Sequence, residues 1–212
     1  MKGREIVSGF LEEKRINKII QKMQILIKYV DLLMEENKTV NLISRRVEKE
    51  DIWLNHILDS LLPLGKMELT GKTVLDFGTG GGLPGIPLKI VYPGCYMYLL
   101  DSKQRKVEAL KKIIKKLDLQ DCLAICSRVE FLDKSWHSYF DVVVSRSVKI
   151  EEKYWQNLCD LSNRSGVIYL YKAKKLVDME IMTGTLKHDI SHELIGTRTL
   201  VELRKEDVPR GT

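Results

Sequence analysis

The 212-residue chain contains no apolar run approaching the ~20 residues needed to span a bilayer, so no membrane partner is expected. Its four cysteines, Cys95, Cys122, Cys126 and Cys159, include no Cys-x-x-Cys pair. They read as small apolar core residues kept reduced, not as a disulfide framework. Cys122 and Cys126 lack a second ligand pair, and no metal site is predicted. His188 and His192 have the i, i+4 spacing without an acidic ligand set, which predicts a solvated helix face. No Ser/His/Asp or Cys/His arrangement for nucleophilic catalysis stands out. Internal repeats, low-complexity stretches and linkers are also missing. Met1-Lys2-Gly3-Arg4-Glu5 leads into a helix instead of an apolar signal core, which predicts a cytoplasmic protein.

What is present is ordinary in bulk: 44% hydrophobic and 30% charged residues, enough for one domain with a proper core. The net charge of +6 permits a nucleic-acid partner without demanding one. Lys103, Arg105, Lys106, Lys111, Lys112, Lys115 and Lys116 crowd one predicted helix whose apolar set is Val107, Leu110, Ile113, Ile114 and Leu117. That spacing makes most of the lysines the solvated face of an amphipathic helix.

The most informative segment is Thr73-Val74-Leu75-Asp76-Phe77-Gly78-Thr79-Gly80-Gly81-Gly82-Leu83-Pro84-Gly85-Ile86-Pro87. An apolar strand ends in a glycine loop, and the prolines suit the first turn of a helix. A second apolar run, Cys95 to Leu100, ends in Asp101, an acid placed at a strand tip to accept ribose hydroxyls. The loop reads two ways. Gly80-x-Gly82-x-x-Gly85 matches the dinucleotide fingerprint, and Asp76-x-Gly78-x-Gly80-x-Gly82 matches the first-strand pattern of S-adenosylmethionine (SAM) methyltransferases. Asp76 would repel a pyrophosphate but suits the methionine ammonium of SAM. The stretch after the loop is also short for the partner domain of a nicotinamide enzyme. Both points favour SAM.

Residues 1–69 read as an N-terminal helical cap belonging to the same unit as a SAM-binding domain over 70–212. The cap has a helix from about Glu12 to Glu36 and a second from about Lys49 to Leu64. Strands near 73–77, 96–100, 122–126, 141–145 and 166–172 alternate with helices near 85–92, 103–118 and 150–161. This pattern predicts an α/β fold, a Rossmann-like parallel sheet with helices on both faces. Glu193-Leu194-Ile195-Gly196 followed by Thr199–Leu203 predicts a C-terminal antiparallel hairpin. The tail over 205–212 is expected to fray.

Asn41-Leu42, His56-Ile57-Leu58-Asp59-Ser60, the Gly78–Pro87 loop, Leu100-Asp101-Ser102, Ser127-Arg128-Val129-Glu130 and Val144-Ser145-Arg146 occur in one order. These six blocks resemble the bacterial small-subunit ribosomal RNA guanine-N7 methyltransferases, also called RsmG or GidB, over about residues 37 to 172. The resemblance implies methyl transfer from SAM to N7 of a guanosine in 16S rRNA, in the 530-loop region. The partner would be 16S rRNA or the small ribosomal subunit, and no stable protein partner is expected. It also implies that Asp76, Gly78, Gly80, Gly82 and Leu83 lie beside the methionine part of SAM. Asp101 would hold the ribose, and Val129 and Glu130 would border the adenine. Arg146 would stand close to both cofactor and base. Arg146, Asn41 and Lys172 become the catalytic candidates, in orienting roles, with His56 a further polar position facing the cleft. N7 of guanine carries a free lone pair, so no general base is expected.

Other readings stay beside these. Arg146 could form a surface salt bridge to Asp141 or Glu151, and His56 could simply cap or pack its helix. Trp53, Trp136 and Trp155 read as packing residues. The run Arg146-Ser147-Val148-Lys149 departs from the family's Arg-Ala followed by small residues. Lys172 is followed by Ala173 instead of glycine, and Gly81 replaces a frequent proline. The alternatives are a SAM-binding protein that docks on RNA without turnover, and an NAD-dependent oxidoreductase.

Overall fold

The computed structural model describes residues 2–148, 152–173 and 185–204. Lys149, Glu151 and the 205–212 tail, all named above, lie outside the described residues.

Strands that are covered on both faces must be apolar on both faces, and the central strands obey this. Along β1 (Thr73–Phe77), Val74 enters one core while Leu75 and Phe77 enter the other. Along β4 (Phe140–Arg146), Val142 and Val144 enter the first core and Phe140 and Val143 the second, with a register shift between Phe140 and Val142. β2 (Tyr96–Asp101), β3 (Cys122–Cys126) and β5 (Ser162–Lys172) complete a parallel block in the order β3-β2-β1-β4-β5. β7 (Thr199–Arg204) then pairs antiparallel to β5, and β6 (Leu186–Asp189) pairs antiparallel to β7 at the edge. The order reverses on either side of β1, so the carboxyl ends of β1 and β4 open a crevice between them.

One face is covered by α1 (Lys2–Glu13), α2 (Ile19–Asn37), α5 (Gly85–Val91) and α6 (Gln104–Leu117). The same layer includes a continuous helical stretch in three parts: α3 (Lys49–Ile52), a π-helical turn (Trp53–Leu58) and α4 (Asp59–Leu61). The other face is covered by α7 (Glu152–Leu161) and the short turn Val129–Phe131. The lysine-rich helix behaves as its period requires. Val107, Leu110, Ile113 and Leu117 are buried, and Lys112 and Lys116 reach Glu36 and Glu35 of α2 at 3.4 and 3.3 Å.

Four expectations need correction. The helix foreseen over Glu12–Glu36 is two helices. Arg15 and Lys18 adopt left-handed φ values of 53° and 55°, which no continuing α-helix accommodates. The first hairpin strand is Leu186–Asp189, not 193–196, where His192 and Gly196 close a turn. His188 therefore stands on a strand, 2.8 Å from Glu202, and not on a helix face. Cys126 is exposed at a strand end, whereas Cys95, Cys122 and Cys159 are buried as expected. Trp53 is a fully packed core residue, and Trp136 stacks on Phe140 at 5.7 Å.

Candidate active site

The glycine loop is fastened from below. Asp76 is fully buried, and its Oδ2 accepts hydrogen bonds from Thr79 Oγ1 at 2.6 Å and Gly85 N at 2.8 Å. Burial pushes its carboxyl up to about 6, against the lowering effect of those two donors. Its Oδ1 has no partner among the described residues. Asp101 spans the next junction: Oδ2 accepts from Gly80 N at 3.1 Å, and Oδ1 accepts from Lys103 N at 2.9 Å.

α2 and the segment after it grip the loop from outside. Tyr29 donates its hydroxyl to the Gly81 carbonyl at 2.8 Å. Asn37 Oδ1 accepts from the amides of Leu42 and Ile43 at 2.8 and 3.0 Å, which lays that segment against Gly80 and Gly81.

Two cavities open at the carboxyl edge of the sheet. The first, about 360 Å³, is lined by Phe77, Gly78, Asp101, Val129, Glu130 and Tyr154, among others. Four of the sequence-derived cofactor positions meet there. The second, about 460 Å³, is lined by Asn55, His56, Asp59, Arg146, Lys172 and Arg198, among others. Val148 lines both.

Among the described residues, the second cavity is built around one carboxylate. Asp59 Oδ2 accepts from Arg146 Nη1 at 2.8 Å, and Asp59 Oδ1 accepts from Arg198 Nε at 2.7 Å. The Asp59 and Arg146 side chains are only 12% and 9% exposed. Arg146 Nη1 also faces the carbonyls of Asn55 and His56, at 3.2 and 3.5 Å, and its Nη2 lies 3.4 Å from His56 Nδ1. The π-helical turn supplies both carbonyls, consistent with the tendency of such turns to mark functional sites. Burial and the adjacent Arg146 lower the His56 pKa to about 4, so the imidazole is neutral at neutral pH. Tyr171 donates to the Ser60 carbonyl at 3.0 Å and ties β5 to α4 behind the cavity.

The sequence-derived residues thus separate into groups. Gly78, Asp101, Val129 and Glu130 share the first cavity; Arg146 and Lys172 share the second. Gly80, Gly82 and Leu83 line neither. A Cβ on Gly82 would lie 2.5 Å from Ile86, Leu83 is buried, and Gly80 gives its amide to Asp101. Asp76 lies beneath the loop, and Asn41 is exposed on the segment after α2 that lies against it. Arg146 pairs with Asp59, not with Asp141. Asp141 instead accepts from Thr73 N and Asn163 Nδ2 at 2.8 Å each. Asp59 and Arg198 carried no assigned role in the sequence reading. Asp59 had a signal, three residues after His56 on one helical stretch; Arg198 had none, because its partner is distant in sequence.

Seven strands in this order, with a glycine loop and an acid at adjacent strand tips, define the fold of SAM-dependent methyltransferases. Among solved structures, the tRNA (m1A58) methyltransferase TrmI from Aquifex aeolicus superimposes with a TM-score of 0.57 at 15% identity. The match covers 69% of this chain and 67% of that one. A SAM-dependent methyltransferase from the same organism gives 0.52 at 17%, over 69% and 89% of the two chains. The family model described as rRNA small subunit methyltransferase G matches residues 22–198. The proteins named ribosomal RNA small subunit methyltransferase G from Chlorobaculum tepidum and Lachnoclostridium phytofermentans are 37% and 33% identical to this chain. Those matches cover 87% and 84% of this chain, and 83% and 78% of the relatives. The chain belongs to the rRNA small subunit methyltransferase G family, and its cofactor is S-adenosylmethionine. That membership removes the NAD-dependent oxidoreductase reading.

Proposed function

We propose that this protein transfers the methyl group of SAM to N7 of a guanosine in the 530-loop region of 16S rRNA, acting in the cytoplasm on the rRNA or the small ribosomal subunit. The observation that carries this reading is the pair of adjoining cavities. One has an acid at the tip of β2; the other is cationic among its described residues, and Val148 lines both.

The residues of the first cavity fit the cofactor. Asp101 offers carboxylate oxygens to ribose hydroxyls, Val129 gives the adenine an apolar wall, and Glu130 stands at its rim. Gly78 keeps the wall free of a side chain. The orphaned, buried Oδ1 of Asp76 gives the loop a negative floor beneath the methionine ammonium. When bound, SAM supplies a methyl group on a sulfonium.

N7 of guanine has an in-plane lone pair and loses no proton on methylation, so the protein has only to orient and to exclude water. Arg146, immobilised by Asp59 and two backbone carbonyls, is assigned to the edge of the base, where a contact to O6 alone would keep N7 for the methyl. Lys172 balances the RNA charge at the same wall, and Asn41 meets the RNA from the cap. The neutral His56 fits a site that orients without removing a proton. The N-terminal segment to residue 69 acts as the RNA-facing cap of the 70–212 methyltransferase unit.

The test is methyl transfer from labelled SAM to small ribosomal subunits lacking their N7-methylguanosine, with the product mapped. A single labelled guanine N7, lost in Arg146→Ala, is expected. Tight SAM binding without label overturns the proposal and leaves a cofactor-binding protein that docks on RNA.

A further inference from the structure

The second cavity carries more positive charge than its own structure uses. Among the described residues, Arg146, Arg198 and Lys172 line it with a single carboxylate, Asp59, and the other described lining residues carry no charge, His56 being neutral. Three described cations thus face one described anion in a partly closed cleft, an excess that an outside anion would offset.

The hydrogen bonds show which cations are already occupied. Arg198 gives Nε to Asp59 and Nη1 to the carbonyls of Ile195 and Thr197, at 3.2 and 2.9 Å. Its backbone is fixed as well: Arg198 N donates to Ser191 Oγ at 3.0 Å, and Ile190 N donates to the Arg198 carbonyl at 3.0 Å. The guanidinium is therefore held on two sides, and among the described residues its Nη2 has no partner. Lys172 Nζ, at the end of β5 on the same cavity, likewise has none. A fixed guanidinium edge beside a flexible ammonium suits a tetrahedral, singly charged oxyanion.

We propose that Arg198 and Lys172 form a subsite for a phosphodiester of the RNA strand next to the target nucleoside, with Asp59 as the residue that positions Arg198. The proposal rests on the reading that RNA is the substrate. It goes further by giving the cavity a phosphate-binding half and a base-facing half, with the two guanidiniums of Arg198 and Arg146 set on opposite oxygens of one carboxylate. The competing anion is the carboxylate of SAM itself, and the test separates the two.

The experiment measures equilibrium binding of small ribosomal subunits lacking the N7-methyl group across a salt series, alongside turnover and SAM affinity, for wild type, Arg198→Ala, Lys172→Gln and Asp59→Asn. Removing one phosphate contact is expected to weaken subunit binding about 10-fold and to flatten the log–log salt dependence by about 0.7 to 1. In Arg198→Ala, KM for subunits rises with kcat nearly unchanged, and SAM affinity stays at the wild-type value. Lys172→Gln flattens the salt dependence similarly, which keeps the test alive if Arg198→Ala folds poorly. Asp59→Asn is expected to raise KM and also to lower kcat, because it releases Arg146 too. An unchanged salt slope in both Arg198→Ala and Lys172→Gln overturns the subsite. So does a loss of SAM affinity in Arg198→Ala, which assigns the anion to the cofactor. Wild-type binding without turnover defeats the methyl-transfer reading alone, since the slopes remain readable.

Discussion

Gly78 and Val148 touch across the boundary between the two cavities: a Cβ on Gly78 would lie 2.4 Å from Val148 Cγ2. Gly78 also has a φ of +71°, in the region that side chains disfavour. Gly78→Ala is therefore expected to lose about 1–3 kcal/mol of stability and at least ~10-fold in SAM affinity. Gly78→Ala/Val148→Ala removes the clash but keeps the backbone strain, so it should recover only part of both. Thermal melting and calorimetric titration with SAM read the two effects. Full recovery in the double variant would show that φ is irrelevant here.

Asp76 and His56 give opposite pH dependences. The Asp76 pKa is raised from 3.8 to about 6, so the native state holds the extra proton between those values. Stability from this group is full below pH 3.8 and is lost as pH rises through 6, on the order of 3 kcal/mol. Asp76→Asn, which keeps an acceptor for Thr79 and Gly85, is expected to melt higher than wild type at pH 8 but not at pH 4. Its SAM affinity should fall, because the negative floor of the loop is gone. The His56 pKa is lowered from 6.5 to about 4, so the unfolded chain binds the proton first, and stability falls as pH drops from 6.5 to 4. His56→Gln should flatten that acid limb in chemical denaturation series.

Arg146 is expected to be intolerant of a conservative exchange. Lysine keeps the charge but cannot hold Asp59, two carbonyls and the base edge at once. Arg146→Lys should lower kcat about 100-fold with SAM affinity within a factor of ~3, measured on undermethylated subunits. Equal losses in kcat and SAM affinity would move Arg146 from the substrate side to the cofactor side.

Tyr29 tests whether cap and sheet form one cooperative unit. Its buried hydroxyl holds the Gly81 carbonyl, and Lys22 of the same helix holds the Val91 carbonyl at 2.8 Å. Tyr29→Phe leaves that carbonyl unsatisfied and is expected to cost about 1–3 kcal/mol, shifting a single unfolding transition without splitting it. Two separate transitions would make the N-terminal segment a domain of its own.

The sheet was legible because its strands are short apolar runs between clear breakers, and the five parallel strands fall close to their sequence-derived bounds. The glycine loop and Asp101 were legible for a related reason: their chemistry is local in sequence. Arg15 and Lys18 were not, since neither residue type announces a left-handed conformation and the apolar period runs on through Ile16 and Ile19. Asp59 and Arg198 are separated by 139 positions, and no periodicity records such a pair. The edge strand Leu186–Asp189 is polar and largely exposed, so its place is decided by pairing with β7 and not by burial. The more apolar Leu194-Ile195 stretch drew the assignment instead.

The sheet order has a consequence for how the molecule is made. β7 lies between β5 and β6, yet it is synthesised after both. Until it arrives, β5 presents an open edge along Ile168, Tyr169, Leu170 and Tyr171, and β6 has no neighbour. A ribosome building this protein therefore carries an incomplete, self-adhesive sheet until the residues from Thr199 on have emerged. Any stop codon before residue 199 leaves a product with that edge unpaired, prone to aggregation, and lacking Arg198.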